Sequence, residues 1–228
     1  MNMIEDSKHF RVYADLHVHT TYSSDSVISP KDLVFYAKKR GLNAVAVTDH
    51  NQIAGALKIA KETDFLIIPG TEVSSADGHI VGLNVHEAIP KGLGAEETVD
   101  RIHAAGGLAV ACHPYVLFKG SLGKHVSAKF DAVEVMNARA FPFNRSVRKA
   151  EESAFKLGLS RVAGTDAHYG PQVGYAYTAI DSELNVEAIA KAILNGRCQP
   201  FGQRVPFFLN IQQQVQRWNR WKRKLGKS

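Results

Sequence analysis

The sequence predicts an α/β fold in which repeated β/α units close into a compact barrel. Short runs rich in β-branched and apolar residues alternate with helical patterns along most of the chain, which is typical of parallel strands joined by crossover helices. Roughly seven strands and six or seven helices fit into about 200 residues, which suits a barrel better than an open sheet. With 228 residues, 45% of them hydrophobic, the chain can bury a full core in one large domain.

The strands and helices follow one another with clear boundaries. We expect the first strand over residues 11–18 and the first helix between the capping residue Ser29 and the terminating Gly41. The later elements are, in order, NAVAVTDH, QIAGALKIAKE, FLIIPGTEVSS, AEETVDRIHAAGG, LAVACHPY, FDAVEVMNAR, NRSVRKAEESAFKLG, SRVAGTDAHY, YAYTAI and NVEAIAKAILNG. By itself, SSADGHIVGLNV resembles a surface turn. These elements predict a barrel over residues 1–200 and a basic amphipathic tail helix over residues 201–228.

The composition narrows the class of protein. Cys112 and Cys198 are too few for a disulfide framework or a thiolate zinc site, so any metal must use nitrogen and oxygen ligands. We expect Cys112 to face the barrel exterior. No apolar run reaches the roughly 18–20 residues of a transmembrane segment, and MNMIEDSKHF lacks the apolar core of a signal peptide. We therefore expect a soluble, cytoplasmic protein.

Positive charge is concentrated near the C-terminus. The formal net charge is +6, whereas nine Lys or Arg residues and no acidic residue follow Glu187, so the preceding residues carry −3. The tail helix has an apolar stripe of Phe208, Ile211, Val215, Trp218 and Leu225, and the cations largely off it are Arg217, Arg220, Arg223 and Lys224. We expect the stripe to pack on the barrel. The cations are then either solvated or bind nucleic acid or an acidic partner, and a membrane-surface helix is a third alternative.

Side chains that bind metals follow nearly every predicted strand. They are His17, His19, Asp49, His50, Glu72, His113, Glu134, Asp166 and His168. The C-terminal ends of barrel strands converge at one face, so these residues become neighbours there. Strand alternation places Asp15, His17 and His19 on one face, and opposite strands would aim the HVH and DAH pairs at each other. Of the adjacent Asp49 and His50, we expect His50 to be a ligand and Asp49 to support it.

The motifs DLHVHTTYSSD, VTDHN, PGTEVS, CHP and GTDAH, in this order over residues 15–168, resemble those of the PHP family, named for polymerase and histidinol phosphatase. The resemblance implies a distorted seven-stranded, TIM-like β/α barrel with two to three divalent metal ions at its C-terminal face. It implies one metal held by His17, His19, Glu72 and Asp166. Glu72 would bridge to a second metal with His79 and His113, and the third would be held by Asp25, His50 and His168.

This ligand set indicates a reaction. Imidazole and carboxylate ligands suit zinc, manganese or iron, and such a cluster activates water as hydroxide while it neutralises phosphoryl charge. Metal-dependent hydrolysis of phosphate esters follows, with Asp25, His50 and His168 as candidate catalytic residues. Among Asn137, Arg139 and Arg145, we expect Arg139 to bind the substrate phosphate. Glu134 has no assigned role, and the histidines expected at the surface or in structural positions are His9, His86, His103 and His125.

Several substrates and alternative functions stay open. Glu72 and His113 are close in sequence, and the spacing from His113 to Asp166 leaves little room for a cap domain, so we expect an open site. An open site does not indicate which substrate is selected. The candidates are nucleoside monophosphates, nucleotide bisphosphates, oligonucleotides and histidinol phosphate. The basic tail favours nucleotide or oligonucleotide phosphates. One alternative is a non-catalytic PHP scaffold or nucleic-acid-associated subunit, which would not need so many converging ligands. Another is an amidohydrolase-type C–N hydrolase, but the sequence offers no candidate carbamylated lysine at a strand end.

Overall fold

The computed structural model describes residues 11–117 and 120–225, with side chains up to Lys222. His9 and the side chains of Arg223, Lys224 and Leu225 lie outside the described residues. The strands are β1 (Arg11–Val18), β2 (Ala44–Val47), β3 (Leu66–Ser74), β4 (His79–Leu83), β5 (Leu108–Ala111), β6 (Ala132–Asn137), β7 (Ser160–Gly164), β8 (Ala176–Asp181) and β9 (Cys198–Gly202). The helices are α1 (Pro30–Lys39), α2 (Ala54–Glu62), α3 (Ala95–Ala104), α4 (Phe143–Leu157), α5 (Val186–Leu194) and α6 (Phe207–Leu225).

The strands form one mixed sheet that curls into a nearly closed barrel. Their order is β7-β6-β5-β4-β3-β2-β1-β8-β9, with β4, β8 and β9 antiparallel to their neighbours. The chain after β7 closes the ring against β1, because the N–H of Asp166 donates to the carbonyl of His17 at 2.7 Å and Val18 pairs with Ala167. The side chain of Thr178 bridges β8 to the backbone of β7. The prediction of an α/β barrel is confirmed at this level.

The predicted count of seven strands is wrong, because the sheet has nine. The sequence pattern missed β4 and β9, which are both antiparallel strands of five residues. β4 returns from β3 in a tight hairpin, so its segment resembles a surface turn. β9 lies at a sheet edge and contains Pro200, a residue that edge strands tolerate. The predicted boundary after residue 200 falls within β9, and the division into barrel and tail stays a prediction.

Local sequence signals account for the helix ends. Ser29 caps α1 by accepting a hydrogen bond from the N–H of Asp32 at 3.1 Å, and Pro30 occupies its first position. Gly158 ends α4 in the left-handed conformation, with φ of 67°. These caps match the predicted start of α1 and the predicted end of α4.

Two apolar layers hold the barrel together. Alternate side chains such as Ala44 and Ala46 face an inner cluster that α5 also enters, whereas Val45 and Val47 face an outer cluster against α1, α2 and α3. This alternation follows from the two-residue repeat of a strand whose two faces are both covered.

A β-bulge interrupts the alternation in β1. The register with β2 shifts between Asp15 and Val18, and Leu16 joins the inner cluster whereas Val18 joins the outer one. The bulge turns His17 inward directly after Leu16. The carboxylate of Asp15 instead accepts backbone hydrogen bonds between β7 and β8. The prediction that Asp15 shares one face with His17 and His19 is therefore wrong.

Helix α6 contacts the barrel through a face that the sequence pattern did not indicate. Leu209 and Gln213 are buried, and Arg220 donates to the carbonyls of Thr21 and Ser26. About half or more of each side chain stays exposed for Phe207, Phe208, Ile211, Val215, Trp218 and Trp221. The prediction that the apolar stripe packs on the barrel is wrong, because polar hydrogen bonds and Leu209 hold the opposite face.

Among the described residues, no helix has both the length and the apolar character needed to cross a bilayer.

Candidate metal centre

The carboxylate of Glu72 is the centre of a cluster of imidazoles. Glu72 lies in β3, is 1% exposed, and pairs across an isolated bridge with His50. Its Oε1 lies 2.8 Å from Nδ1 of His79 and 2.9 Å from Nε2 of His113. Its Oε2 lies 3.1 Å from both Nε2 of His19 and Nδ1 of His50, and 3.5 Å from Nε2 of His17. One carboxylate thus connects histidines from the ends of three strands, β1, β2 and β5, and from the β3–β4 hairpin.

A second carboxylate reaches the same histidines from the end of β7. Oδ1 of Asp166 lies 3.4 Å from Nε2 of His19 and 3.9 Å from Nε2 of His17. Asp166 has a φ of 58°, a left-handed conformation that aims its side chain back towards β1. Asp166 and His17 come from strand ends that are direct neighbours. The prediction that the HVH and DAH pairs face each other from opposite strands is therefore wrong.

The loop after β1 brings Asp25 to a third part of the cluster. Oδ2 of Asp25 lies 2.9 Å from Nε2 of His168 and 3.4 Å from Nε2 of His50. Ser23 supports this arrangement, because its hydroxyl accepts from the N–H of His50 at 2.9 Å and lies 3.4 Å from Nδ1 of His19. The loop therefore places a carboxylate where two imidazoles already meet.

The nine predicted ligands form overlapping groups whose donor atoms lie within 4.8 Å of one another. The groups are His19, Asp25, His50 and His168; His17, His19 and Asp166; His50, Glu72 and His79; and His17, Cys112 and His113. All nine predicted ligands thus lie in one cluster, with His50 close to two of the predicted metal positions. Their assignment as ligands, and the number of ions, stay predictions.

The donor set fits divalent metal ions. It consists of imidazole nitrogens and carboxylate oxygens, which suit zinc, manganese and iron. Two buried atoms, Oδ1 of Asp25 and Nδ1 of His113, have no hydrogen-bond partner among the described residues. An unpartnered buried polar atom is costly unless something binds it, so Oδ1 of Asp25 is available to a metal centre, whereas His113 faces the cluster with Nε2.

The cluster shifts the pKa values of its members in opposite directions. Burial opposes ionisation of Glu72, but the imidazoles, first that of His17, hold its pKa well below the usual range. Burial alone would lower the pKa of His19, yet the carboxylates of Asp166 and Glu72 raise it to about 9. Burial and the charge of His19 lower the pKa of His168 to about 4. The metal-free protein therefore holds protons at His19 in a place where a metal would need a neutral ligand.

Glu134, which had no predicted role, holds two of the predicted ligands in place. Its Oε1 lies 3.1 Å from Nδ1 of His17, and its Oε2 accepts from the N–H of His113 at 2.7 Å. Nδ2 of Asn137 also donates to Oε2 at 3.0 Å. Such carboxylate–histidine pairs orient metal ligands. Glu134 lies within β6, and its place among the polar residues of the predicted strands was a signal for this role.

Asp49 supports a different segment from the one expected. Its two carboxylate oxygens each accept a 2.7 Å hydrogen bond from Thr20, one from the backbone N–H and one from the hydroxyl. Asp49 therefore fixes the segment directly after His19, while His50 itself lies in the cluster.

Cys112 points into the barrel, and the prediction that it faces the exterior is wrong. Its thiol lies 3.7 Å from Oε1 of Glu72, and Cys112 belongs to the inner apolar cluster. His113 has a φ of 31°, which breaks the strand alternation, so consecutive side chains both face inward. Burial and the nearby carboxylates, first Glu72, raise the pKa of the Cys112 thiol well above its usual range. The thiol therefore stays protonated.

Arg139 lies at the edge of the cluster with a side chain that is 27% exposed. Its Nη1 donates to the carbonyl of Asp166 at 2.9 Å and lies 3.7 Å from Oδ1 of the same residue. Asn137 is buried and accepts from the N–H of Arg139, whereas Arg145 is exposed on α4. The predicted role of Arg139 in phosphate binding stays a prediction.

The remaining histidines lie outside the cluster. His86 is exposed, His103 is bonded to Asp131 at 2.7 Å, and His125 lies 3.6 Å from Asp77. These contacts fit the expected surface or structural roles.

Comparisons with known proteins give the family. Residues 15–87 match the model described as a PHP domain, and residues 144–198 match the model described as PHP-associated. An uncharacterized protein of Methanocaldococcus jannaschii is 38% identical over 163 residues, covering 62% of this chain and 95% of that protein. A 5′-3′ exoribonuclease of Haemophilus influenzae is 45% identical over 84 residues, covering 34% of this chain and 30% of that enzyme.

A solved structure supports the fold. A two-domain protein from Bacteroides vulgatus, described as containing a predicted PHP-like metal-dependent phosphoesterase, aligns with a TM-score of 0.71 at 17% identity. The alignment covers 85% of this chain and 65% of that protein. The two matched family regions contain every predicted ligand except His113. The chain belongs to the PHP family.

Proposed function

We propose that the protein is a metal-dependent phosphoesterase that hydrolyses nucleotide or oligonucleotide phosphates. The observation that carries this proposal is the convergence of six histidines and three carboxylates in one cluster, with Glu72 at its centre. A structural role alone would not need this cluster, because buried charges are costly unless they are paired or bind a metal. The PHP-like phosphoesterase in the Bacteroides vulgatus structure and the Haemophilus influenzae exoribonuclease give further support.

We propose that the ligands act in three sets. His17, His19, Glu72 and Asp166 would hold one ion, Glu72, His79 and His113 a second, and Asp25, His50 and His168 a third. Divalent ions bound there would acidify water towards neutrality and stabilise the negative charge of the phosphoryl oxygens. Glu134 orients the imidazole of His17 through the contact at 3.1 Å. Ser23 and Asp49 fix the backbone that presents His19 and His50.

Arg139 would bind the substrate phosphate beside the ions. Its guanidinium is partly exposed and lies against the end of β7 near Asp166 and His168. A guanidinium offers several N–H donors in a plane, which suits a phosphate group. Because the six histidines of the cluster would be neutral ligands, water acidified by the ions would supply the proton to the leaving alkoxide.

The preference for nucleotides has two supports. The residues after Glu187 carry nine cations and no acidic residue, so the C-terminal region attracts polyanions. The relative from Haemophilus influenzae is named a 5′-3′ exoribonuclease, although the match covers 30% of that enzyme.

A turnover screen tests the proposal. Metal-free protein is reconstituted with manganese or zinc and assayed against nucleoside monophosphates, nucleotide bisphosphates, short oligonucleotides and histidinol phosphate. We expect hydrolysis of at least one nucleotide substrate, abolished by His17→Ala or Asp166→Ala and retained by the exposed control His86→Ala. An absence of turnover with every ester would contradict the proposal and favour the non-catalytic scaffold.

A further inference from the structure

A cavity of about 360 Å³ lies between α6 and the loop after β1. Ser24 and Val27 line it from the loop, and Arg217, Trp218, Arg220 and Trp221 line it from the helix. The indoles of Trp218 and Trp221 are 55% and 57% exposed. The cavity therefore places two exposed tryptophans beside two guanidinium groups.

The cavity borders the loop that carries a predicted metal ligand. Arg220 donates to the carbonyl of Ser26 and, at 3.1 Å, to that of Thr21, which lie on either side of Asp25 in the chain. Ser24, at the cavity wall, is the direct neighbour of Asp25. A ligand in the cavity would therefore lie next to the loop that reaches the metal centre.

The charge around the cavity favours an anion. Arg217 and Arg220 line it, Lys222 lies against Trp218, and no acidic residue is among the residues that line it. Nζ of Lys222 lies 3.5 Å from the ring centre of Trp218, so a cation accompanies the exposed indole. A second copy of the chain would bring a helix with the same positive charge.

We propose that this cavity is a binding site for single-stranded nucleic acid, with bases stacked on Trp218 and Trp221 and a phosphate held by Arg217. Aromatic platforms beside cations bind single strands of any sequence, because every base has a π-face. The concave shape and the position beside the Asp25 loop favour this ligand over an anionic membrane, which would meet a flat surface. The inference rests on the proposed function, because it takes the bound strand to be the substrate.

Tryptophan fluorescence can report on this site directly. Trp218 and Trp221 are the two tryptophans of the chain, so the intrinsic emission comes from the cavity wall. Metal-free protein in EDTA is titrated with a single-stranded oligonucleotide of about ten nucleotides, a length within the range of known single-strand sites. We expect saturable quenching that weakens as salt is raised.

Variants give the quantitative test. By anisotropy of a labelled oligonucleotide, we expect Trp218→Ala with Trp221→Ala to weaken binding at least tenfold, and Arg217→Gln to reduce the salt slope by about 1. The matched control is Phe155→Ala, an aromatic residue of α4 that is 89% exposed, and it should bind like the parent protein. Circular dichroism and thermal melting establish that each variant is folded.

Several results would overturn the inference. These are unchanged affinity in the folded double variant, quenching by anionic lipid vesicles but not by oligonucleotide, and concentration-dependent dimerisation that buries the indoles without binding oligonucleotide. The assay needs no turnover, so the two proposals can fail separately. Binding without hydrolysis by metal-loaded protein would refute the proposed function alone, and hydrolysis of a small phosphate ester without oligonucleotide binding would refute the cavity site alone.

Discussion

Glu134 shows how a single buried carboxylate can set the geometry of a metal centre. It contacts the imidazole of His17 and the backbone N–H of His113, so it fixes two of the predicted ligands that come from different strands. Close packing explains why its neighbour on β7 is a glycine. A Cβ on Gly164 would lie 2.5 Å from Cβ of His17 and 2.8 Å from Oε1 of Glu134.

We expect Glu134→Ala to lower metal affinity by about 10- to 100-fold while the fold persists, because it frees the ring of His17. Calorimetric titration of metal-free protein with manganese or zinc measures this effect. Glu87→Ala, which changes an exposed glutamate, is the matched control. Equal affinities in the two variants would remove Glu134 from the metal centre.

Substitution of Arg139 tests whether its guanidinium binds the substrate phosphate. If it holds the substrate phosphate, Arg139→Ala should lower kcat/KM about tenfold or more, mainly through KM, without loss of bound metal. Steady-state kinetics on the best substrate and elemental analysis of the variant measure both quantities. Arg145→Ala, at an exposed position of α4, is the control. A variant with unchanged kcat/KM would make Arg139 a structural residue that contacts the carbonyl of Asp166 and Nδ1 of His168.

The protons held by the metal-free cluster predict how metal binding depends on pH. The pKa of His19 is raised to about 9, and that of His17 is raised as well. Both imidazoles must lose a proton to bind a metal, so binding at pH 7.5 should release protons and affinity should rise as the pH increases towards about 9. Calorimetry in two buffers with different ionisation enthalpies counts these protons. An affinity that is independent of pH would contradict the protonated state of the cluster.

At the scale of elements, α6 reinforces the part of the centre formed by Asp25 and His168. Arg220 binds the backbone on both sides of Asp25. The buried Gln213 accepts from Gln172 at 3.0 Å, and Gln172 in turn accepts from the N–H of His168 at 3.1 Å. One helix thus supports two segments that carry predicted ligands.

The hydrogen bonds from Arg220 to the backbone on both sides of Asp25 predict a selective loss of metal when Arg220 is changed. We expect Arg220→Gln to lower the content of the weakest-bound ion, by up to one equivalent per chain, while the other ions stay. Elemental analysis after dialysis measures the content, and Arg217→Gln on the same helix is the control. Full metal content in Arg220→Gln would show that α6 does not support the Asp25 loop.

The strands show what a sequence pattern can and cannot predict. Apolar runs such as AVAV and LAVA identify β2 and β5, because both faces of these strands are covered. β4 returns directly from β3 in a hairpin, so the alternation of strand and helix does not include it. β9 follows α5 as a short antiparallel edge strand that contains Pro200, so its sequence does not resemble a strand. The bulge in β1 and the left-handed conformation of His113 depend on contacts between distant segments. They therefore invert the predicted orientations of Asp15 and Cys112.

At the scale of the whole molecule, the barrel explains why the site could be predicted in outline. The strand ends bring together residues as distant in sequence as His17 and His168, and their identities alone indicated a cluster. The orientation of α6 could not be predicted, because its buried face is defined by hydrogen bonds to Gln172 and the Asp25 loop. A polar helix face with such partners can pack on a barrel while an aromatic face stays exposed.

We propose that these converging ligands hold metal ions, and the metal content of the protein is the decisive measurement. Metal-free protein is reconstituted with manganese or zinc, freed of excess metal by gel filtration, and measured by elemental analysis against protein concentration. We expect two to three equivalents per chain. Less than one equivalent with either metal would contradict it.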